Sequence, residues 1–547
     1  MADPHRKAHR RLVRLVAGVA TAALTVAAVG GIAGASTTRT THRQGSGGNL
    51  NFGLEAETTD YCLSRAQLNT SGIEVVAAVY DTLTIPNDKG VATPYLAKSV
   101  TPNATFTQWT IALRPGINFQ DGTPLNAAAV KLNLDTYRSG PSGVAAAEGP
   151  LFTIYLGFIQ DVSVVDPLTV QVTLKTPVAD FPSYLYSTGR MGIMAPAQIN
   201  GSCSTNMIGT GPFKLQSYQQ NQKTVVVKNP NYWQAGYPKA NSITFFPIPD
   251  ESARTNQLEG GQLDLLHTSS ALQLSTLRSQ SQFKLLTESA GFRTLHYYWV
   301  ISSKAPFNSQ TARTAFAEAV NRQELNTIRN KGLFQVANSL MDKNAPGYLP
   351  NAGYPAYNLK GAQALVSQVK AGNGGQFNIT LGGTTDPEAS AELQLLKEQL
   401  GKAGINATIA QFDEATLINK ALQGSIDVLI WRNLHGEYSD FSDQSTYVWF
   451  ANANQGYLTN FGRFNDPQTQ ALLDQGRAVT NPSQDKAIYQ QFNKAMAAKD
   501  YVLPAWFVDW SIAYTPSVHL TFPPLPDGHG KPLFEYGRIP VLGLAKS

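Results

Sequence analysis

Between Phe377 and Gln411 the sequence spells out a strand, a helix and a second strand: Phe377 to Leu381, then Ala389 to Ala403, then Ile405 to Gln411, with Gly404 just past the helix end. Glycine in that place ends a helix in the left-handed conformation at no steric cost. A strand, helix, strand unit commits a chain to layered α/β architecture. The same alternation runs through the rest. Trp109 to Leu113 reads as a strand closed by Arg114-Pro115-Gly116, and Ala127 to Tyr137 as a helix. Val162 to Val165 and Thr169 to Leu174 form a predicted hairpin turning at Asp166-Pro167. Phe213 to Tyr218 with Thr224 to Lys228 is another strand pair, and Ser242 to Pro247 a further strand. From Ser309 to Lys331, Ala312, Ala315, Phe316, Ala319 and Val320 recur at helical spacing. No repeat of fixed period occurs, which sets solenoids and propellers aside. At 547 residues the chain exceeds the size of a single core, so two or three packed units are expected in a lobed α/β protein.

The N-terminus is different in kind. Arg6, Lys7, Arg10, Arg11 and Arg14 precede an Ala/Val/Gly/Leu-rich run from Leu15 to Ala35 that ends Ala33-Gly34-Ala35-Ser36. Basic flank, apolar run and small-residue cleavage site together read as a signal peptide over 1–35. The alternative is an uncleaved anchor, but the Ala, Gly and Thr content makes the run weakly hydrophobic for a bilayer span. Arg10-Arg11 leaves a twin-arginine route open beside the general one. No cysteine closes the apolar run, so lipid anchoring is not supported, and an exported, periplasmic or otherwise extracytoplasmic location is expected. Residues 36–48 are polar and rich in Gly, Ser and Thr, and read as a flexible linker.

Of 43 basic and 38 acidic residues, removing 1–35 takes five Lys/Arg and one Asp, leaving 38 against 37 and a formal charge of +1. A nearly neutral chain lacks the positive field that nucleic-acid binding uses, so no nucleic-acid partner is expected. The only cysteines are Cys62 and Cys203. They are too few for a thiolate zinc site, and in an exported protein they suggest one disulfide, with two buried free thiols as the alternative. No phosphate-binding glycine loop, His-Glu-x-x-His or Gly-x-Ser-x-Gly elbow is present, so neither an enzyme nor a cofactor is indicated.

A series of stretches, read in order, resembles the family 5 extracytoplasmic solute-binding proteins of ABC importers, the oligopeptide-, dipeptide- and nickel-binding group. Val79-Tyr-Asp-Thr-Leu83, Pro94-Tyr-Leu-Ala97 and Leu113 to Pro124 look like its opening signature. Ile208-Gly-Thr-Gly-Pro-Phe213, Asn229-Pro-Asn-Tyr-Trp233, Pro249-Asp-Glu-Ser252 and Leu258 to Asp264 resemble its middle. Pro306-Phe307, Arg313 to Arg322, Leu396 to Ile405 and Asp427 to Trp431 follow, so the likeness runs from about residue 49 to the C-terminus. Two places depart from it: Ala127 to Ala129 precede Val130 where an acidic residue is usual, and Asn321-Arg322 stands where Asp-Arg is more frequent.

The resemblance implies a two-lobed periplasmic-binding-protein fold with an extra domain inserted in lobe I. Lobe I would be 49–80, 205–292 and 505–547, the extra domain 81–204 and lobe II 293–504, with hinge crossings near Ala290 to Thr294 and Leu503 to Phe507. It implies a peptide or similar small polar ligand, handed to ABC permease subunits by a monomer. An exported enzyme or a non-transport sensor or chaperone-like module on the same fold is the alternative. The implied ligand contacts centre on 431 to 443, WRNLHGEYSDFSD: Trp431, Asn433, His435, Glu437, Tyr438 and Asp440. Glu437 would take the place of the carboxylate that pairs with a peptide ammonium, although the gap from Trp431 is three residues longer than the family pattern and its final Pro is missing. A solvated acidic loop is the competing reading there. For Trp506 and Phe507, at the second crossing, core packing competes with a place in the cleft.

Overall fold

Every position of Thr294–Val300 and of Val502–Val508 is buried, as in strands covered on both faces. Their side chains alternate between two clusters. Tyr298, Val300, Leu503 and Trp506 join one, and Leu295, Tyr297, Trp299 and Phe507 join the other, so the sheet separates two layers of core. A computed structural model describes residues 47–58, 61–63, 68–139, 154–201, 206–288, 293–433, 443–535 and 537–547, all within one unit spanning Gly45–Ser547. Only the backbone of Asn433 and Asp443 is described.

Two large sheets carry the lobes. In the first, strands lie in the order Lys284–Thr287, Ser511–Tyr514, Leu265–Thr268, Asn49–Leu54, Ser242–Pro247, Lys223–Lys228 and Phe213–Gln219. Asn49–Leu54 is parallel to both of its neighbours. In the second the order is Gln335–Val336, Val502–Val508, Thr294–Val300, Val428–Asn433, Asn378–Thr384 and Asn406–Phe412. Here Asn378–Thr384 is parallel to both neighbours. The helix between the strands at 378 and 406 is Pro387–Ala403, with Asp386 capping its start, Pro387 in its first turn and Gly404 at φ 90° at its end. Pro504 is tolerated in a central strand because the register shifts between His296 and Tyr297, which face Trp506 and Pro504 and leave Ala505 as the extra residue of a bulge.

A third, four-stranded antiparallel sheet (Ala97–Pro102, Gln108–Leu113, Thr169–Leu174, Ile159–Asp166) shares its core with the first, Trp109 and Ile111 lying in the same cluster as Phe52 and Ile243. The Gly209-Thr-Gly211 corner joins these parts through close backbone approach: a Cβ on Gly209 would stand 2.2 Å from the Val79 carbonyl oxygen, and one on Gly211 2.4 Å from its carbonyl carbon.

Two elements differ from the sequence reading. The helical pattern from Ser309 to Lys331 is two helices, Gln310–Ala319 and Arg322–Asn330. Val320 is extended and Asn321 caps the second helix, its side chain accepting from the Glu324 amide at 3.1 Å, so a local capping bond breaks what the apolar spacing alone would continue. The second crossing between sheets falls at Asp509 and Trp510, past the Leu503 to Phe507 span, because the apolar run stays paired with Thr294 as far as Val508. Cys62 is buried and disulfide-bonded; Cys203 lies outside the described residues.

Candidate functional site

In open α/β sheets, ligands bind beyond the carboxyl ends of the strands, where loops rather than ladders meet the solvent. Five strand ends converge here. Asn49–Leu54 delivers Glu55 to Thr58, and Ser242–Pro247 leads to Pro249 and Glu251. From the second sheet, Asn378–Thr384 leads to Asp386, Asn406–Phe412 to Asp413 and Glu414, and Val428–Asn433 contributes Ile430, Trp431 and Arg432. Between them lies a cavity of about 760 Å³, with His296 and Arg329 also in its wall.

The walls are acidic. The first lobe contributes Glu55, Glu57 and Glu251, and the second Asp386, Glu388, Glu392, Asp413 and Glu414. Arg432 crosses from the second lobe to the first: its Nη2 meets Glu55 Oε2 at 2.8 Å, its Nη1 donates to Ser269 Oγ, and its guanidinium lies 4.4 Å from the centre of the Trp510 ring. Burial alone would raise the Glu55 carboxyl, but Arg432, His267 and Arg254 outweigh it and hold it at about 2. At the cavity, Ser270 Oγ also donates across to Glu388, and Asn69 Nδ2 to Glu414 Oε2 at 3.3 Å.

Beneath this layer Glu392 is fully buried. Burial works against its charge, yet His296 Nε2 at 2.7 Å, Arg329 Nε at 2.8 Å and Tyr298 Oη at 2.9 Å lower its pKa. Burial lowers the His296 imidazole, so as a neutral ring it donates Nε2–H to that carboxylate. Elsewhere in the wall burial wins. It raises Glu251 to about 8 although Arg254 Nη2 lies 2.6 Å away, and raises Glu414 to about 7 against the pull of Arg432. At about 7, the Glu414 carboxyl is close to half protonated at neutral pH.

Trp431 lines the cavity, its ring 4.7 Å from that of Phe461. Asn433 ends its strand paired with Leu295, and its side chain is not described; His435, Glu437, Tyr438 and Asp440 lie outside the described residues. Trp506 and Phe507 are 0 % and 1 % exposed and do not line the cavity: of the two readings left open for them, the structure places them in the core. Trp506 sits one layer behind the wall, stacked on His296 at 4.3 Å. Sequence reasoning missed Glu55, Arg432, Asp386 and Glu414. Arg432 stands inside the quoted 431 to 443 stretch, and Asp386-Pro387 and Asp413-Glu414 are helix-start signatures directly after strands. Pro249-Asp-Glu-Ser252 served as a fold signature, yet Pro249 and Glu251 face the cavity.

The model of the bacterial extracellular solute-binding proteins, family 5 (middle) matches residues 92–457. The glutathione-binding protein GsiB of Shigella dysenteriae serotype 1 is 26% identical over 460 residues, covering 82% of this chain and 84% of the relative. Among solved structures, AgaA of A. tumefaciens R10 in complex with agropinic acid superposes with a TM-score of 0.80 at 24% identity, over 91% of this chain and 99% of that one. DppA of Helicobacter pylori in complex with peptide STSA gives 0.78 at 18%, over 92% and 98%. At these identities the structural likeness shows the two-lobed fold, and the family match spans most of the chain. The chain belongs to family 5 of the bacterial extracellular solute-binding proteins, the extracytoplasmic receptors of ABC importers.

Proposed function

We propose that this protein captures a peptide or similarly small polar solute in the cavity between its lobes and hands it unchanged to ABC permease subunits, closure of the lobes being the signal. The observation that carries this reading is a cavity walled from both sheets at their strand ends, with Arg432, Ser270 and Asn69 bonded across it. Such contacts exist only while the lobes are together, so a solute that fills the space and adds contacts to both sides favours closure. The working units are 49–80, 205–292 and 509–547 for lobe I, 81–204 for the extra domain and 293–508 for lobe II, the boundary moved from 504 to the end of the Val502–Val508 strand. The mature chain begins near Ser36, is monomeric and carries a Cys62 to Cys203 disulfide. Glu437, in the segment that follows the strand bearing Trp431 and Arg432, pairs with the ligand ammonium.

Mass spectrometry of the solute released from the exported protein tests the reading. A defined small polar solute, recovered intact after incubation with the protein, is expected. A solute that is chemically converted during incubation would move the protein to the enzyme alternative.

A further inference from the structure

Resting on the transport reading, the charge of the cavity wall narrows the solute further. Both arginines of the wall are already engaged. Arg432 is held by Glu55, Ser269 and the Trp510 face; Arg329 lies 2.8 Å from Glu392, 3.4 Å from Glu388 and 5.6 Å from the Trp506 ring centre. The wall histidine, His296, already donates to Glu392. A ligand carboxylate would therefore have to share or displace the carboxylate that each guanidinium of the described wall already holds.

The helix starts that point at the cavity are closed to anions in the same way. Asp386 Oδ1 accepts from the Ala389 amide at 2.9 Å and Asp413 Oδ1 from the Thr416 amide at 2.9 Å, so each helix start sets a carboxylate beside its amides. Meanwhile Glu414, Asp386 and Glu57 form no ion pair among the described residues. Glu414 meets only the Asn69 amide, Asp386 its own helix start and Thr384, and Glu57 the Thr58 and Asn221 amides and the Tyr61 hydroxyl. Glu55 and Asp386 lie close enough to Glu414 to raise the cost of ionising it. Arg432 offsets part of that repulsion, and a ligand cation beside Glu414 would offset more of it.

We infer that the cavity selects an organic cation, whose ammonium or guanidinium docks on Glu414 with Asp386 beside it, and rejects solutes of net negative charge. Recognition of this kind belongs to the lobe II helix starts at 386 and 413 and to Glu57 opposite, and so is additional to any pairing at Glu437.

The test uses the mature protein stripped of solute. A bacterial metabolite extract is separated by ion exchange into cationic, neutral and anionic fractions, and each is offered in turn, with arginine amide and glutathione as defined probes. Binding is read by calorimetry and lobe closure by solution scattering for wild type, Glu414→Gln and Asp386→Asn. Both substitutions remove a charge and retain the local hydrogen bond: the amide oxygen introduced by Glu414→Gln still accepts from Asn69, and the one introduced by Asp386→Asn still caps the helix. The cationic fraction alone is expected to close the lobes, and the cation identified in it should lose affinity on the order of 30-fold in Glu414→Gln. Closure driven by glutathione or by the anionic or neutral fraction, or an unchanged affinity in both variants, overturns the inference and leaves the transport reading standing. If no fraction closes the lobes, both are overturned.

Discussion

Replacing Arg432 by Met removes the guanidinium that ties the lobes together and keeps most of the stem. The Glu55 carboxyl stands at about 2 against an ordinary 4.5, a displacement that at 1.36 kcal/mol per unit amounts to about 3 kcal/mol in favour of the anion, net of burial. Arg432 is the largest of the favourable contributors, ahead of His267 and Arg254. Its side chain is 31% exposed, so solvent screens part of the attraction, and losing one partner of such a charge-assisted bond is expected to cost about 2 kcal/mol. Because the pair crosses between lobes, that loss falls on the closed state, and the closed-to-open ratio should drop roughly 30-fold. Dyes on the two lobes, read by single-molecule energy transfer without solute, measure the ratio in wild type, Arg432→Met, Glu55→Gln and the double variant. A coupling of about 2 kcal/mol between the two sites is expected. Strict additivity would refute the latch. The pH dependence has a fixed sign: Glu55 has a depressed folded pKa, so its contribution is complete above about 4.5 and is lost as the pH falls through about 2, and Glu55→Gln should abolish that loss.

With Glu414 raised to about 7, the affinity for arginine amide should rise as pH increases through 7 in wild type, and that rise should be missing in Glu414→Gln, as measured by calorimetry. Gly209→Ala forces a Cβ to 2.2 Å from the Val79 carbonyl oxygen and should destabilise the protein by about 1 to 3 kcal/mol in denaturant titration, with no change in the sequence of elements by circular dichroism. Exported protein should weigh two hydrogens less than its reduced form if Cys62 pairs with Cys203, and an intact mass with both thiols free would exclude the bridge. Glu437→Gln should weaken a free-amine peptide by roughly 2 to 5 kcal/mol and leave its N-acetylated analogue nearly unchanged, while equal affinities throughout would make Glu437 a surface residue.

Local chemistry made much of the scaffold readable. Gly404, Asp166-Pro167 and the alternating apolar runs each specify a stop, a turn or a strand within a few residues, and the strands and helices sit where those signals put them. The break at Val320 was harder, because Asn321 acts through one side-chain bond to the Glu324 amide while the apolar spacing runs on. The cleft was least readable. Its wall draws on Glu55, Glu251, Asp386, Glu414 and Arg432, which become neighbours only when five strands have taken their places in two sheets. Trp431 lines the cavity, while the sequence left Trp506 open between core and cleft. Trp506 lies in a strand covered on both faces, so its ring stacks on His296 inside the core, one layer behind the cavity wall.

If the protein works as a receptor, its two lobes must close on a solute held between them. Solution scattering of the stripped, mature protein, before and after addition of the solute with which it copurifies, reads that closure. A smaller radius of gyration with solute, restored when the solute is dialysed away intact, is the expected result; saturating binding with no change in radius would contradict closure as the signal.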